Sequence, residues 1–205
     1  MQDRQTSLLG AQAQQQVNQS RFESLPPALQ LGTAELADWK SRINRFQRQV
    51  AIAPPPQQGS LFAVAEAPGQ YGPTTDVQST AETLNPFTLP QQNTEFWRWQ
   101  FDDVGVAALY FVIDYSADLL LYVGETVKSN QRWKGEHDCK RYLLNYRQVH
   151  YQQDLPSQLG IAFWPHAPAE RKPRQQLESA LIQRWRPPFN KENWQFWGTP
   201  FVSKA

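Results

Sequence analysis

Two apolar runs separated by a short polar stretch constrain the fold of this chain more than any other feature. The runs cover residues 107–113 and 119–123, and Asp114-Tyr115-Ser116-Ala117-Asp118 lies between them. Branched and aromatic side chains dominate both runs, as they do in buried strands, whereas aspartate and serine favour a turn. The pattern therefore predicts a β-hairpin.

The sequence after the hairpin extends this prediction to a domain. A polar helix is expected from about 135 to 148, a short strand at 161–164 and a second helix at 174–185, which Arg186-Pro187-Pro188 ends. The order β-β-α-β-α predicts an α+β domain with a small, mainly antiparallel, three-stranded sheet flanked by helices. We place this domain at residues 95–205.

Residues 1–94 have a different composition. They are rich in Gln, Pro, Ser and Thr and poor in aromatic residues, which predicts a largely disordered extension. One amphipathic helix is expected near 34–51, because apolar residues recur there at spacings of three and four. Its apolar stripe can dock on the C-terminal domain or bind a partner, and docking is the more common use of such a stripe.

Composition limits the possible classes of protein. A chain of 205 residues with 40% hydrophobic residues and a net charge of +1 suffices for one core and a tail. The sequence contains no apolar stretch long enough to span a membrane and no secretory signal. We therefore expect a cytoplasmic protein without a membrane partner. The single cysteine, Cys139, excludes an intramolecular disulfide framework. We expect it at the surface, together with His150 and His166.

Two triplets in the hairpin and a set of polar residues after it resemble the motifs of the GIY-YIG nuclease superfamily. Ala108-Leu109-Tyr110 stands at the place of the first triplet and Tyr122-Val123-Gly124 at that of the second. The other matching positions are Arg132, His137, Glu178 and Asn190. The resemblance covers about residues 106–190, and Ala108 replaces the glycine of the first triplet.

The resemblance implies that the chain hydrolyses phosphodiester bonds. It assigns Tyr110 as general base or proton relay to the attacking water and Tyr122 as the residue that orients phosphate or water. His137 is the candidate proton acceptor, and Arg132 would stabilise the transition-state charge. Arg132 and His137 are five residues apart, and five residues along a helix rotate the side-chain direction by about 140°. Both side chains therefore face the site only if Arg132 lies before the start of the helix. Otherwise a neighbouring lysine takes the place of the histidine.

The same resemblance implies a divalent metal site and a supporting frame. Glu178 would supply the single carboxylate that holds Mg²⁺ or Mn²⁺, because magnesium completes its shell with water and phosphate oxygens. Asn190 would support the site through hydrogen bonds. Gly124 would allow a close approach of the backbone where a side chain would intrude.

Local charge favours a polyanionic substrate, although the bulk charge does not. Basic residues outnumber acidic ones in 128–147 and in 171–186, a pattern that a solvated helical face also produces. The predicted nucleic-acid contacts are Lys128, Lys134, Lys140, Arg141 and Arg174. Four aromatic residues can stack on bases or pack in the core, and core packing is the more common use: Trp133, Trp194, Phe196 and Trp197.

A short motif in the extension suggests a protein partner. Gln58-Gly59-Ser60-Leu61-Phe62 resembles the pentapeptide with which bacterial replication and repair proteins dock on the sliding clamp. Gln58, Leu61 and Phe62 would make the contacts, with the Leu-Phe pair in a preformed pocket. The same pair can equally pack back on the domain.

These observations lead to one functional expectation and one alternative. We expect a metal-dependent endonuclease that acts on DNA, in repair, restriction or mobility. The alternative is a catalytically inactive nucleic-acid-binding module of the same fold that recruits partners through its N-terminal extension.

Overall fold

The computed structural model describes residues 31–54, 77–93, 107–126 and 138–202. Its α-helices are α1 (Thr33–Arg48), α2 (Val77–Thr83), α3 (Asp138–Gln152), α4 (Arg171–Trp185) and α5 (Trp194–Trp197). Its strands are β1 (Gln91–Asn93), β2 (Ala108–Asp114), β3 (Leu119–Thr126) and β4 (Leu159–Trp164). This is an α+β fold, as predicted.

The sheet has four strands in the order β1-β4-β2-β3, and every neighbouring pair is antiparallel. The predicted hairpin is confirmed, with β2 and β3 joined at the polar turn. The prediction of three strands is wrong, because β1 pairs with β4. The sequence Gln91-Gln92-Asn93 contains no apolar alternation, and a short polar strand at a sheet edge leaves little signal.

Helix α1 packs on the domain instead of standing apart from it. Leu36, Trp39 and Ile43 are buried in one cluster with residues of the sheet and of α3. The docking alternative is therefore confirmed for this helix. Helices α1 and α2 and strand β1 all lie before residue 95, whereas residues 1–30, 55–76 and 94 lie outside the described residues.

The sheet buries a layer of side chains on each face. Tyr110 and Val112 of β2 face α1, α3 and the C-terminal segment, whereas Leu109 and Phe111 face α2 and α4. Successive strand residues point to opposite faces, so a strand covered on both sides is apolar throughout. This explains the uninterrupted apolar run that predicted β2.

The helix ends follow from local chemistry. Helix α4 starts earlier than predicted, at Arg171, because Pro173 is tolerated in a first helical turn. It ends where Arg186 adopts a left-handed conformation, with φ 47° and ψ 53°, before Pro187 and Pro188. In the described parts of the chain, no helix reaches the length and apolar character that crossing a bilayer requires.

Candidate functional site

The two motif tyrosines lie on neighbouring strands of the hairpin and stack on each other. The ring centroids of Tyr110 and Tyr122 are 5.9 Å apart, with 27° between the ring planes. Tyr110 is fully buried and Tyr122 is partly buried. Burial is the main cause that raises the pKa of Tyr122, and repulsion by Tyr110 and Cys139, a hydrogen bond with Tyr110 and the charge of Glu178 add to it. Tyr122 therefore keeps its phenolic proton.

The glycine of the second triplet makes room for the first tyrosine. Gly124 pairs with Tyr110 across the β2–β3 ladder. A Cβ atom at Gly124 would lie 2.3 Å from both Cζ and Oη of Tyr110. The close approach expected of Gly124 is thus a contact with the tyrosine ring.

Asn190 binds the backbone of β3 between Tyr122 and Gly124. Its Oδ1 accepts a hydrogen bond of 3.0 Å from Val123 N, and its Nδ2 donates one of 2.9 Å to Val123 O. Both ends of the amide are used in this way, and Asn190 is buried. The residue therefore clamps the backbone of β3 beside Tyr122.

The chain around Asn190 is held by a row of side-chain hydrogen bonds that the sequence motifs do not reveal. Phe189 N donates to Leu121 O at 2.9 Å, so this segment follows the outer edge of β3. The four preceding carbonyl oxygens each accept from the C-terminal segment: Arg186 O from Trp197 Nε1 at 2.6 Å, Pro187 O from Asn193 Nδ2 at 3.1 Å, Pro188 O from Thr199 Oγ1 at 2.8 Å and Phe189 O from Trp194 Nε1 at 3.2 Å. The C-terminal segment therefore fixes the position of Asn190.

Glu178 lies on α4, which packs against β3. The carboxylate is partly buried and close enough to Tyr122 to affect its pKa. Within the described residues, no group of three or more His, Cys, Asp and Glu side chains could hold a metal ion. One carboxylate fits a magnesium ion that keeps most of its water ligands, and does not fit a metal held by protein ligands alone.

Arg174 does not belong to a basic surface. Its side chain is 2% exposed, and its Nε lies 2.6 Å from Oε2 of Glu125 on β3. Its Nη1 donates to the carbonyl oxygens of Pro168 and Ala169 at 2.9 and 2.7 Å. The prediction that Arg174 contacts nucleic acid is corrected: this arginine forms an internal ion pair that joins α4 to β3.

Two predicted nucleic-acid contacts lie at the start of α3. Arg141 pairs with Asp138 at 3.1 Å and lies 5.3 Å from the ring centroid of Tyr142. Lys140 is partly exposed, and its partial burial lowers its pKa. The other residues predicted for the site or for partners lie outside the described residues: Lys128, Arg132, Lys134, His137, Gln58, Leu61 and Phe62.

Two residues expected at the surface are buried. Cys139 is fully buried, and burial raises the pKa of its thiol. His150 is buried beside Tyr146, Asp114 and Lys40, with its Nε2 3.0 Å from Lys40 Nζ. Cys139 lies within the predicted helix, and its burial comes from the cluster that α3 forms with other elements, whereas His150 lies beyond the predicted helix end. His166 is exposed, as expected.

No protein-family model matches the chain, and neither a curated protein nor a solved structure is detectably similar to it. The chemistry of the site is therefore argued from its own residues. Tyr110, Tyr122, Gly124 and Asn190 lie together at strands β2 and β3, and the charge of Glu178 on α4 reaches Tyr122.

Proposed function

We propose that this chain is a metal-dependent endonuclease of GIY-YIG type that hydrolyses phosphodiester bonds in DNA. The observation that supports the proposal is the convergence of two stacked tyrosines, a clamped backbone and one carboxylate. These groups come from the hairpin, from α4 and from the segment after α4, which are distant in sequence. The charge of Glu178 reaches Tyr122, since it adds to the causes that raise the pKa of that tyrosine.

The tyrosines divide the chemistry of such a reaction between them. Hydrolysis needs a water molecule made nucleophilic and a phosphate held in line with it. Tyr122 keeps its proton and so acts as a hydrogen-bond donor that orients phosphate or water. Tyr110 contacts Tyr122 and serves as the proton relay.

The remaining roles belong to charged residues. Glu178 would hold Mg²⁺ or Mn²⁺, which supplies stabilisation of negative charge on the phosphate. Lys140 and Arg141 add positive charge for the phosphate backbone. We assign His137 as proton acceptor and Arg132 as the transition-state stabiliser; both lie in the segment that connects β3 to α3, next to the hairpin in the chain.

The alternative function is an inactive nucleic-acid-binding module of the same fold. The complete burial of Tyr110 favours this alternative. A catalytic hydroxyl group must contact the attacking water, and a buried hydroxyl group is not accessible to solvent. The two functions differ in a single property, the cleavage of DNA.

A cleavage assay with one variant tests the proposal. Supercoiled, branched and single-stranded DNA are incubated with the protein and Mg²⁺ or Mn²⁺. We expect cleavage by the wild type, loss of cleavage in Glu178→Ala, and nearly unchanged DNA binding and folding. Glu192→Ala, which removes an exposed carboxylate, is the matched control and should cleave normally. Cleavage by Glu178→Ala would contradict the metal assignment, and DNA binding without any cleavage would favour the alternative.

We also propose that the bacterial sliding clamp binds the chain through Gln58, Leu61 and Phe62. The proposal rests on the sequence motif. Full-length protein in which Leu61 and Phe62 are both alanine should lose binding to purified clamp and keep its cleavage activity. Unchanged clamp binding by this variant would contradict the proposal.

A further inference from the structure

Phe196 packs against two aromatic rings, and yet half of its surface faces solvent. Its exposed fraction is 50%, whereas its neighbour Trp197 is 5% exposed. The Phe196 ring makes edge contacts with Trp197 and Phe46 at centroid distances of 4.7 and 6.2 Å. The core packing expected for these aromatic residues therefore applies to Trp197 but leaves Phe196 half exposed.

Arg186 places a positive charge next to this ring, although its own backbone adopts an unfavourable left-handed conformation. Its guanidinium carbon lies 4.2 Å from the centroid of Phe196 and 5.7 Å from that of Phe46. The residue is left-handed, with φ 47°, at a helix end where glycine is usual. Among the residues that the structure describes, no carboxylate forms a salt bridge with Arg186.

A second pair of cation and ring lies in the same part of the chain. Lys191 is exposed, and its Nζ is 5.9 Å from the ring centroid of Trp194. Arg186 and Lys191 flank the segment that follows the edge of β3, where Asn190 clamps Val123. Trp194 packs against Tyr142 of α3, whereas Phe196 packs against Phe46 of α1, so the two pairs lie on different sides of the short helix α5.

We infer that Arg186 and Phe196, here named the cation–aromatic surface, bind unpaired nucleotides of a nucleic acid. An exposed aromatic ring accepts a base by stacking, and the adjacent cation pairs with a neighbouring phosphate. The bases of an intact duplex are already stacked on each other and cannot use such a face. The inference rests on the proposed nucleic-acid substrate and specifies its structural class: DNA with a single-stranded region.

Binding measurements on three labelled DNAs test the inference. Fluorescence anisotropy is recorded without metal for a single strand, a blunt duplex and a duplex with a single-stranded flap. We expect the wild type to bind the first and third more tightly than the blunt duplex. Phe196→Ala should weaken those two by at least about fivefold and leave the blunt duplex unchanged, since stacking on a protein ring contributes on the order of 1–3 kcal/mol per base. Phe196→Trp should restore the affinity.

Further variants distinguish base stacking on Phe196 from two other causes of DNA binding, which are nonspecific apolar contact and electrostatic attraction. Leu144→Ala removes another exposed apolar side chain, 64% exposed on α3, and should bind like the wild type. Arg186→Gln should lower the slope of affinity against salt by about one. Equal binding by Phe196→Ala and wild type, or no nucleic-acid binding at all, would overturn the inference. A change in sedimentation of Phe196→Ala alone, without DNA, would also overturn it by making the surface a protein contact.

The two proposals fail independently. If binding of unpaired DNA depends on Phe196 but no substrate is cleaved, the results support the cation–aromatic surface and contradict the endonuclease assignment. If cleavage depends on Glu178 but binding does not depend on Phe196, they support the endonuclease assignment and contradict the cation–aromatic surface.

Discussion

Gly124 and Tyr110 face each other across the β2–β3 ladder so closely that no side chain fits at position 124. A Cβ atom there would lie 2.3 Å from Tyr110 Oη and Cζ, and 2.7 Å from Cε1. The glycine of one motif triplet is thus a direct steric partner of the tyrosine of the other. The two triplets act as one unit because the hairpin register places them opposite each other.

Replacing this glycine should therefore displace the Tyr110 ring. We expect Gly124→Ala to lower the free energy of unfolding by about 1–3 kcal/mol, as overpacking of a filled core does, and to reduce cleavage further than the loss of stability alone would. Gly32→Ala is the control, because the nearest atom to its added Cβ is 3.7 Å away. Urea unfolding and single-turnover cleavage are measured on the same preparations. If Gly124→Ala unfolds at the same free energy as the wild type, the Tyr110 ring can move aside without cost, which would contradict the prediction.

Removing only the hydroxyl group of Tyr110 separates chemistry from packing. Tyr110→Phe keeps the buried ring, so stability should change by no more than about 0.5–1.5 kcal/mol. Cleavage should fall about 10²- to 10⁴-fold if the hydroxyl relays a proton. Tyr115→Phe is the matched control, because the buried hydroxyl of Tyr115 has no hydrogen-bond partner within the described residues. Normal cleavage with a lowered melting temperature would assign Tyr110 to the core.

The Arg174–Glu125 pair should contribute to stability and not to DNA binding. Arg174→Met leaves a mostly buried carboxylate without its cation, and we expect a loss of about 3–5 kcal/mol in the free energy of unfolding. Adding Glu125→Leu should recover much of that loss, because the unpaired charge is then gone. The double variant should keep the salt dependence of DNA binding, whereas Arg141→Gln should reduce it. A reduced salt slope in the double variant would return Arg174 to the nucleic-acid surface.

His150 should make stability depend on pH. Its Nδ1 lies 2.8 Å from the carbonyl oxygen of Tyr146 and therefore carries the proton, which leaves Nε2 to accept from Lys40. Burial, the main cause, and the charge of Lys40 lower the pKa of His150 below its ordinary value of 6.5, although the Tyr146 carbonyl and Asp114 oppose this shift. The unfolded histidine binds its proton first, so this stability is complete above about pH 6.5 and is lost as the pH falls through the folded pKa.

Urea unfolding between pH 5 and pH 8 measures this effect. We expect wild-type stability to fall below about pH 6.5, whereas His150→Gln should show a flatter profile because an amide does not titrate. Asp114 does not interfere in this window. Burial opposes its ionisation, but hydrogen bonds from Ser116, Tyr146 and Gln158 together with the Lys40 charge hold its pKa below 3.8. Identical pH profiles for wild type and variant would contradict the assignment.

Patterns within one element were sufficient to predict the hairpin, α1 and the two longer helices that follow the hairpin. Each of these elements has an apolar periodicity or a turn signal of its own. Strand β1 has neither, since its three polar residues form a strand only because β4 offers an edge to pair with. The placement of Arg174 was wrong for a related reason: an arginine on a polar helix shows its charge in the sequence but not its buried partner on β3.

The sequence by itself determined which residues stand at the motif positions and which segments become strands and helices, because these depend on side-chain chemistry and spacing along the chain. Only the tertiary structure decided that Gly124 gives space to Tyr110, that Asn190 clamps Val123 and that α1 belongs to the core. The first is a contact across the hairpin, and the other two join segments that are far apart in sequence. Packing fixes such contacts through the combined shape and hydrogen bonding of several elements, and no single stretch of sequence carries that information.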